Sequence, residues 1–257
     1  MKKSILLVTA LVAAQAAFAE ETAEPSNVFG LLRVDSTLTN TIVAVPWLDL
    51  SSNSTASAVS VADIVKTANL TAGDRLSAYR PDGKYDVWVL NSSKEWEPSE
   101  TLVVENQSTS EAPEADVRRV ALGSAFWLYR QRPTSEGAAV PFYIYGQVPA
   151  SAVTTTVTAG TASAPVWNLV ANARNADVAL NSLTVSGSIN AADEIYIVED
   201  GNPTMYTYKE GQGWGCTTRV TGPNGRPVNR WAVSNVTISK GTGFWYASKG
   251  GAPTFTW

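Results

Sequence analysis

The chain reads twice, and that self-similarity limits its possible folds more than any compositional bias. The stretch "LTAGDRLSAYRPDGKYDVWVLNSSKEW" (70–96) matches "INAADEIYIVEDGNPTMYTYKEGQGW" (189–214), and "VALGSAFWLYR" (120–130) matches "ISKGTGFWYAS" (238–248). Asp74 falls on Asp193 at an offset of 119. Asp82-Gly83 falls on Asp200-Gly201, Trp96 on Trp214 and Phe126-Trp127 on Phe244-Trp245, all at 118. Landmarks that keep one register over such a span indicate a duplicated unit. Upstream, "TIVAVPWLD" (41–49) aligns less closely with "VWNLVANAR" (166–174). At the far end "PTFTW" (253–257) answers "PFYIY" (141–145).

Each unit is written in strands. "RLSAY" and "YDVWVL" flank "RPDGK", and "EIYIV" and "TMYTY" flank "EDGNP", so each Asp-Gly is a hairpin turn. Alternating aromatic and β-branched residues fit pleated, half-buried strands. The polar segments 105–116 and 221–230 sit at the same place in the two units and read as long loops. The best helix signal is "SVADIVKTANL" (60–70), where Ser60 caps and Val61, Ile64, Val65 and Ala68 share a face. The expectation is an all-β chain of two homologous antiparallel β-sandwich or barrel-like units in tandem, with one short helix near 60–70. The units span 28–150 and 151–257. Residues 147–165 form the join and contribute the first strand of the second unit.

The first residues carry an address. Lys2 and Lys3 precede an apolar stretch from Ile5 to Ala17, and Ala17-Phe18-Ala19 closes it as a cleavage site. This is the pattern of a secretory signal peptide over 1–19, too short for a membrane span, with a linker at 20–27. Export to the periplasm, cell surface or medium follows. No later stretch has the length of a transmembrane helix. The full chain has 19 basic and 23 acidic residues. Loss of Lys2 and Lys3 leaves 17 basic residues against the same 23 acidic ones, an acidic balance that argues against nucleic acid as a partner. Glycans or other envelope and matrix proteins are the candidate partners.

The combination of "VAVPW" or "WNLVAN", an Asp opening a strand, an Asp-Gly hairpin, a lone Trp and "GTGFWY" resembles a family of exported β-repeat proteins of Gram-negative bacteria. The resemblance runs from about Val28 to Trp257. "WNLVAN" and "GTGFWY" are also similar to a β domain of many secreted and surface proteins. Two positions depart from the pattern: Ala173 stands where proline is common, and Ser124-Ala125 replaces the second glycine. The resemblance implies an exported β fold in a surface context and no particular activity.

The chemical vocabulary is narrow. There is no histidine, which removes Ser-His and Cys-His nucleophiles and the ordinary zinc and copper sites. Cys216 is the single cysteine, so no intramolecular disulfide forms. No catalytic residue, metal site or cofactor is expected. Asp74 and Asp193, both opening strands, are expected to hydrogen-bond the backbone of the preceding loop. A glycosidase would need two carboxylates facing across a cleft, and adjacent Asp193 and Glu194 do not face one another.

Nine tryptophans leave two readings for the aromatic side chains: core anchors, or platforms on which sugars stack. Trp88, Trp96, Tyr206 and Trp214 are the candidate stackers of a repeated carbohydrate-binding module. Neighbours on a strand point to opposite faces, so Phe126 and Trp127 cannot share one core, nor can Phe244 and Trp245. Either both faces of those strands are covered or one ring of each pair is wet. An outer-membrane barrel would explain the terminal Trp257, but Gly251 and Pro253 occupy positions where lipid-facing residues would stand. The preferred reading is an exported, non-enzymatic structural or adhesion-type protein.

Overall fold

The computed structural model describes residues 29–36, 40–48, 58–80, 83–99, 102–103, 120–131, 140–149, 151–199 and 202–257. The expected signal peptide, the linker and the polar segment 105–116 lie outside these. The chain begins with β1 (Phe29–Ser36), β2 (Asn40–Ala44), β3 (Ala58–Val59), the single-turn helix α1 (Val61–Ile64) and β4 (Val65–Lys66). It continues through β5 (Arg75–Tyr79), β6 (Lys84–Leu90), β7 (Trp96–Pro98), β8 (Leu102–Val103), β9 (Val120–Ala121), β10 (Ala125–Tyr129) and β11 (Val140–Gln147). The second half holds β12 (Thr154–Thr156), β13 (Val166–Ala171), β14 (Val178–Ala179), β15 (Thr184–Ser186) and β16 (Glu194–Glu199). It closes with β17 (Asn202–Lys209), β18 (Gly213–Thr221), β19 (Pro227–Val233), β20 (Thr237–Ile238), β21 (Gly243–Ser248) and β22 (Thr254–Thr256).

Every sheet occurs twice. A large antiparallel sheet runs β2-β10-β5-β6-β7 in the first half and β13-β21-β16-β17-β18-β19 in the second. A three-stranded sheet, β1-β11-β4, is answered by β12-β22-β15, and the ribbon β3-β9 by β14-β20. The fold is therefore all-β, and among the described residues each sheet is open. Within a half the small sheet covers one face of the large one: Leu32, Val34, Phe142 and Ile144 meet Val43, Leu76, Phe126 and Leu128 in one buried cluster. In the second half Phe255 and Trp257 meet Val170, Phe244 and Tyr246 in the same way. Apolar residues on the inward faces of both sheets make the two layers possible.

Strand pairing corrects two alignments. Phe126 pairs with Val43 and Phe244 with Val170, so Val43 answers Val170, two residues away from the index match of 41–49 with 166–174. On this register Pro46 answers Ala173. At the far end the inward residues are Phe142 and Ile144 in β11 but Phe255 and Trp257 in the last strand. Matching "PFYIY" to "PTFTW" letter by letter would turn the second set outward, because a one-residue slip exchanges the faces of a strand.

The helix is shorter than the pattern suggests. It ends after Ile64, Ser60 makes no side-chain cap, and Ala68 is exposed. Val65 instead pairs with Ile144 of β11. Consecutive β-branched Ile64 and Val65 are poor helix continuers, and the waiting sheet edge takes them.

The halves meet along a seam with reciprocal contacts. Ala44 N–H donates to Gly241 O at 2.9 Å, and its counterpart Ala171 N–H donates to Gly123 O at 2.8 Å. Gly123 and Gly241 hold φ of 76° and 73°, the left-handed region that glycine enters without strain. Ile42, Ala44, Ala125, Leu169 and Ala171 form a second, small buried cluster here. Gly243 answers Ala125, and a Cβ on it would stand 2.9 Å from Ala125 Cβ and 2.7 Å from Val170 O. The departure from the second-glycine pattern thus fits a seam in which one methyl group faces one glycine.

Candidate ligand-binding face

The two repeated aspartates are fully buried and their donors repeat with them. Asp74 accepts from Thr71 N–H at 2.8 Å and Gln131 N–H at 2.9 Å. Asp193 accepts from Asn190 N–H at 2.8 Å and Lys249 N–H at 2.7 Å. Each carboxylate therefore ties the loop before its strand to the loop after the Phe-Trp strand. The balancing group differs. Arg130 Nε lies 3.1 Å from Asp74 Oδ2, off the line of a directed hydrogen bond, while its Nη2 reaches Asn69 O at 3.4 Å. In the second half Ser248 replaces the arginine, and Tyr246 O–H donates to Asp193 Oδ2 at 2.6 Å. Burial and this hydrogen bond hold the Tyr246 hydroxyl far above its ordinary pKa.

The four candidate stackers turn inward. Trp88, Tyr206 and Trp214 are buried, and Trp96 is half-buried with its indole nitrogen enclosed. Register explains this correction. Leu76 opposes Trp88, Ile195 opposes Tyr206, and Tyr208 opposes Trp214, and directly opposed residues share a face, here the core face. Of the four, only Trp96 keeps partial exposure.

The fork at the Phe-Trp pairs resolves the same way in both halves. Phe126 and Phe244 are fully buried in the core, whereas Trp127 and Trp245 are half-buried on the outer face beside the seam. Around Trp245 that face is tiled with rings: Tyr79 stands edge-on at 5.0 Å, Trp167 at 6.2 Å, and Trp167 meets Tyr196 at 5.2 Å. The Tyr196 hydroxyl donates to Glu194 Oε2 at 2.9 Å, and Glu194 also pairs with Lys249. Burial first, then the neighbouring carboxylate, pushes the Tyr196 hydroxyl up to about 12. Tyr85 reaches about 12 as well, through burial and then proximity to Tyr79, with a hydrogen bond from Trp127 opposing the rise.

Two shallow clefts share Tyr85. One, of about 330 Å³, is lined by Asn40, Arg75, Ser77, Tyr85, Trp127 and Tyr129. The other, of about 290 Å³, is lined by Tyr79, Gly83, Tyr85, Trp167 and Trp245. Aromatic walls with a few polar groups are what a small-molecule or sugar site requires. Trp127 and Trp245 apart, sequence periodicity missed these residues because it does not say which face of a strand a second layer will cover. The adjacency of Phe and Trp was the one usable signal.

Other features offer less. A hollow of about 530 Å³ at the far end of the second half includes Asn181 and Trp214. Its Asn181 is already engaged with Trp214 N–H, Trp214 O and Ser234 O. Asp86 is paired with Arg80 at 3.4 Å. Among the described residues no group of three acidic or cysteine side chains is placed to hold a metal ion, and Cys216 is a free, half-buried thiol. No protein-family model, curated protein or solved structure matches this chain.

Proposed function

We propose that this chain is an exported, non-enzymatic protein of the cell envelope or extracellular matrix, of adhesion type, that holds a glycan on the aromatic outer face beside its seam. The observation that carries this reading is the set of partly exposed rings, Tyr79, Tyr85, Trp127, Trp167 and Trp245, that line two clefts on the outer face, opposite the core that Phe126 and Phe244 fill. The repeated strand order and the reciprocal seam bonds support descent from one duplicated unit, as in the exported β-repeat family that the sequence resembles. Lys2, Lys3 and the Ala17-Phe18-Ala19 site support export. The engagement of Asp74 and Asp193 in tying loops together favours binding over hydrolysis, since neither carboxylate faces a cleft.

Two measurements test the reading. Fractionation of cells expressing the full chain should place it outside the cytoplasm, trimmed after Ala19, and an untrimmed cytoplasmic protein would count against export. On a glycan array the trimmed protein should bind, and Trp167→Ala should weaken binding to extended chains, since Trp167 is 40% exposed beside the second cleft. A protein that binds no glycan, or that cleaves the ones it meets, would sink the proposal.

A further inference from the structure

We propose that the cleft over Trp127 is a site for a sugar bearing a carboxylate, a uronic acid unit within a glycan. This rests on the glycan-binding reading above and names the chemical class of the ligand. The two halves carry different residues at equivalent places around their outer tryptophans. Trp127 is opposed by Ser77, and its counterpart Trp245 by Tyr196. Tyr129 is opposed by Asn40 and Arg75, and its counterpart Ala247 by Trp167 and Glu194. In the second half, then, Trp167 and Tyr196 crowd the tryptophan. In the first half the same places hold Asn40 and Ser77, and the space they release is the cleft of about 330 Å³. That is near the lower end of the range for ligand pockets, roughly 300–1,000 Å³, with room for one or two sugar rings.

The groups around the cleft define its occupant. Trp127, Tyr85 and Tyr129 give the cleft its aromatic walls. Ser77 and Asn40 supply a hydroxyl and an amide, the donor and acceptor pair that ring hydroxyls require. Charge is the selective element. In the second half Glu194 is matched by Lys249. In the first half the corresponding residue is Arg75, whose guanidinium lies 5.8 Å from the Tyr129 ring centroid. Among the described residues no carboxylate comes within ion-pair reach of it. A planar guanidinium at the rim of an aromatic slot binds a carboxylate through two parallel hydrogen bonds, and among the described residues no carboxylate lines this cleft to oppose it.

The test is binding of trigalacturonate and of its fully methyl-esterified form, which keeps the same sugar backbone without charge, to the trimmed chain by calorimetry and tryptophan fluorescence. The wild type should bind the acid at least tenfold more tightly than the ester. Arg75→Gln should lose that preference, and Arg75→Lys should keep part of it. Ser77→Tyr, which copies the residue that crowds Trp245, should abolish binding while leaving the thermal transition in place, and so separates a filled cleft from a damaged fold. Equal binding of acid and ester, or full binding by Ser77→Tyr, would overturn the inference. If neutral glycans bind and depend on Trp167 but not on Ser77 or Arg75, the acidic site fails and the broader reading stands. If no glycan binds, both fall.

Discussion

The two aspartates occupy equivalent positions with different counter-groups, so the same substitution should have unequal costs. Asn at 193 keeps one acceptor oxygen and presents an amide where Oδ2 stood. Tyr246, whose hydroxyl both donates and accepts, can rotate to receive that amide, leaving mainly Asn190 N–H without a partner. One buried donor left unmade costs about 1–3 kcal/mol. Asn at 74 faces Arg130, which is 5% exposed and has no capacity to accept. Removing one member of a buried ion pair costs about 3–5 kcal/mol. Asp74→Asn should therefore exceed Asp193→Asn by about 2 kcal/mol. Adding Arg130→Met to Asp74→Asn should return about 2 kcal/mol, since a buried pair is replaced by apolar groups at little net cost. Urea denaturation followed by tryptophan fluorescence gives the midpoints and slopes from which these differences are read. Equal costs for the two single substitutions, or no recovery in the double variant, would show that the buried charge is not what distinguishes the halves.

Three further outcomes follow from the same geometry. Gly243→Ala should cost about 1–3 kcal/mol by overpacking the seam, and pairing it with Ala125→Gly should recover part of that; a Gly243→Ala melting temperature equal to wild type would contradict the close approach at 2.9 Å. Phe244→Ala should cost about 3–5 kcal/mol, the usual price of a large core cavity, and well over the cost of Trp245→Ala, since Phe244 is fully buried while Trp245 is half-buried on the outer face; a reversed order in thermal melts would misplace the core. Tyr85 and Tyr196 hold their protons more tightly when folded, with pKa raised from 10.0 to about 12, so their contribution is complete below pH 10 and is lost as pH rises through about 12. Denaturation midpoints should fall across that window while tyrosinate absorbance lags that of the unfolded chain; midpoints that stay level to pH 12 would contradict it.

What could be read from the sequence follows from what each signal encodes. The Asp, Trp and Phe-Trp landmarks are held by contacts internal to a unit, so their spacing survives and announces the repeated strand order. The segment around Val43 is a continuous apolar run and that around Phe255 a short alternation, and neither pattern fixes a register as pairing does. Ile64 and Val65 fit a helical stripe, yet β11 offers Val65 a partner that a helix would forgo. The candidate stackers failed for a related reason. Trp88 and Trp214 are large, aromatic and repeated, which describes a core anchor and a sugar platform equally well, and only cross-strand register assigns the face. The cleft over Trp127 was less visible still, because it is made by two small residues, Asn40 and Ser77, that matter for what they leave empty.

In each half the first strand pairs with the last. Phe29 of β1 stands opposite Gln147 of β11, and Thr154 of β12 opposite Thr256 of β22, contacts that span more than a hundred residues each. Closing such long loops adds little free energy beyond a shorter loop, about 0.6 kcal/mol per doubling, but it slows the search for the native pairing. The order in which residues arrive then matters. A chain delivered N-terminus first holds Leu32 and Val34 unpaired until β11 has emerged, and the small sheet of each half forms in one late step. Folding of the first half must wait for β11, and folding of the second for Thr254–Thr256.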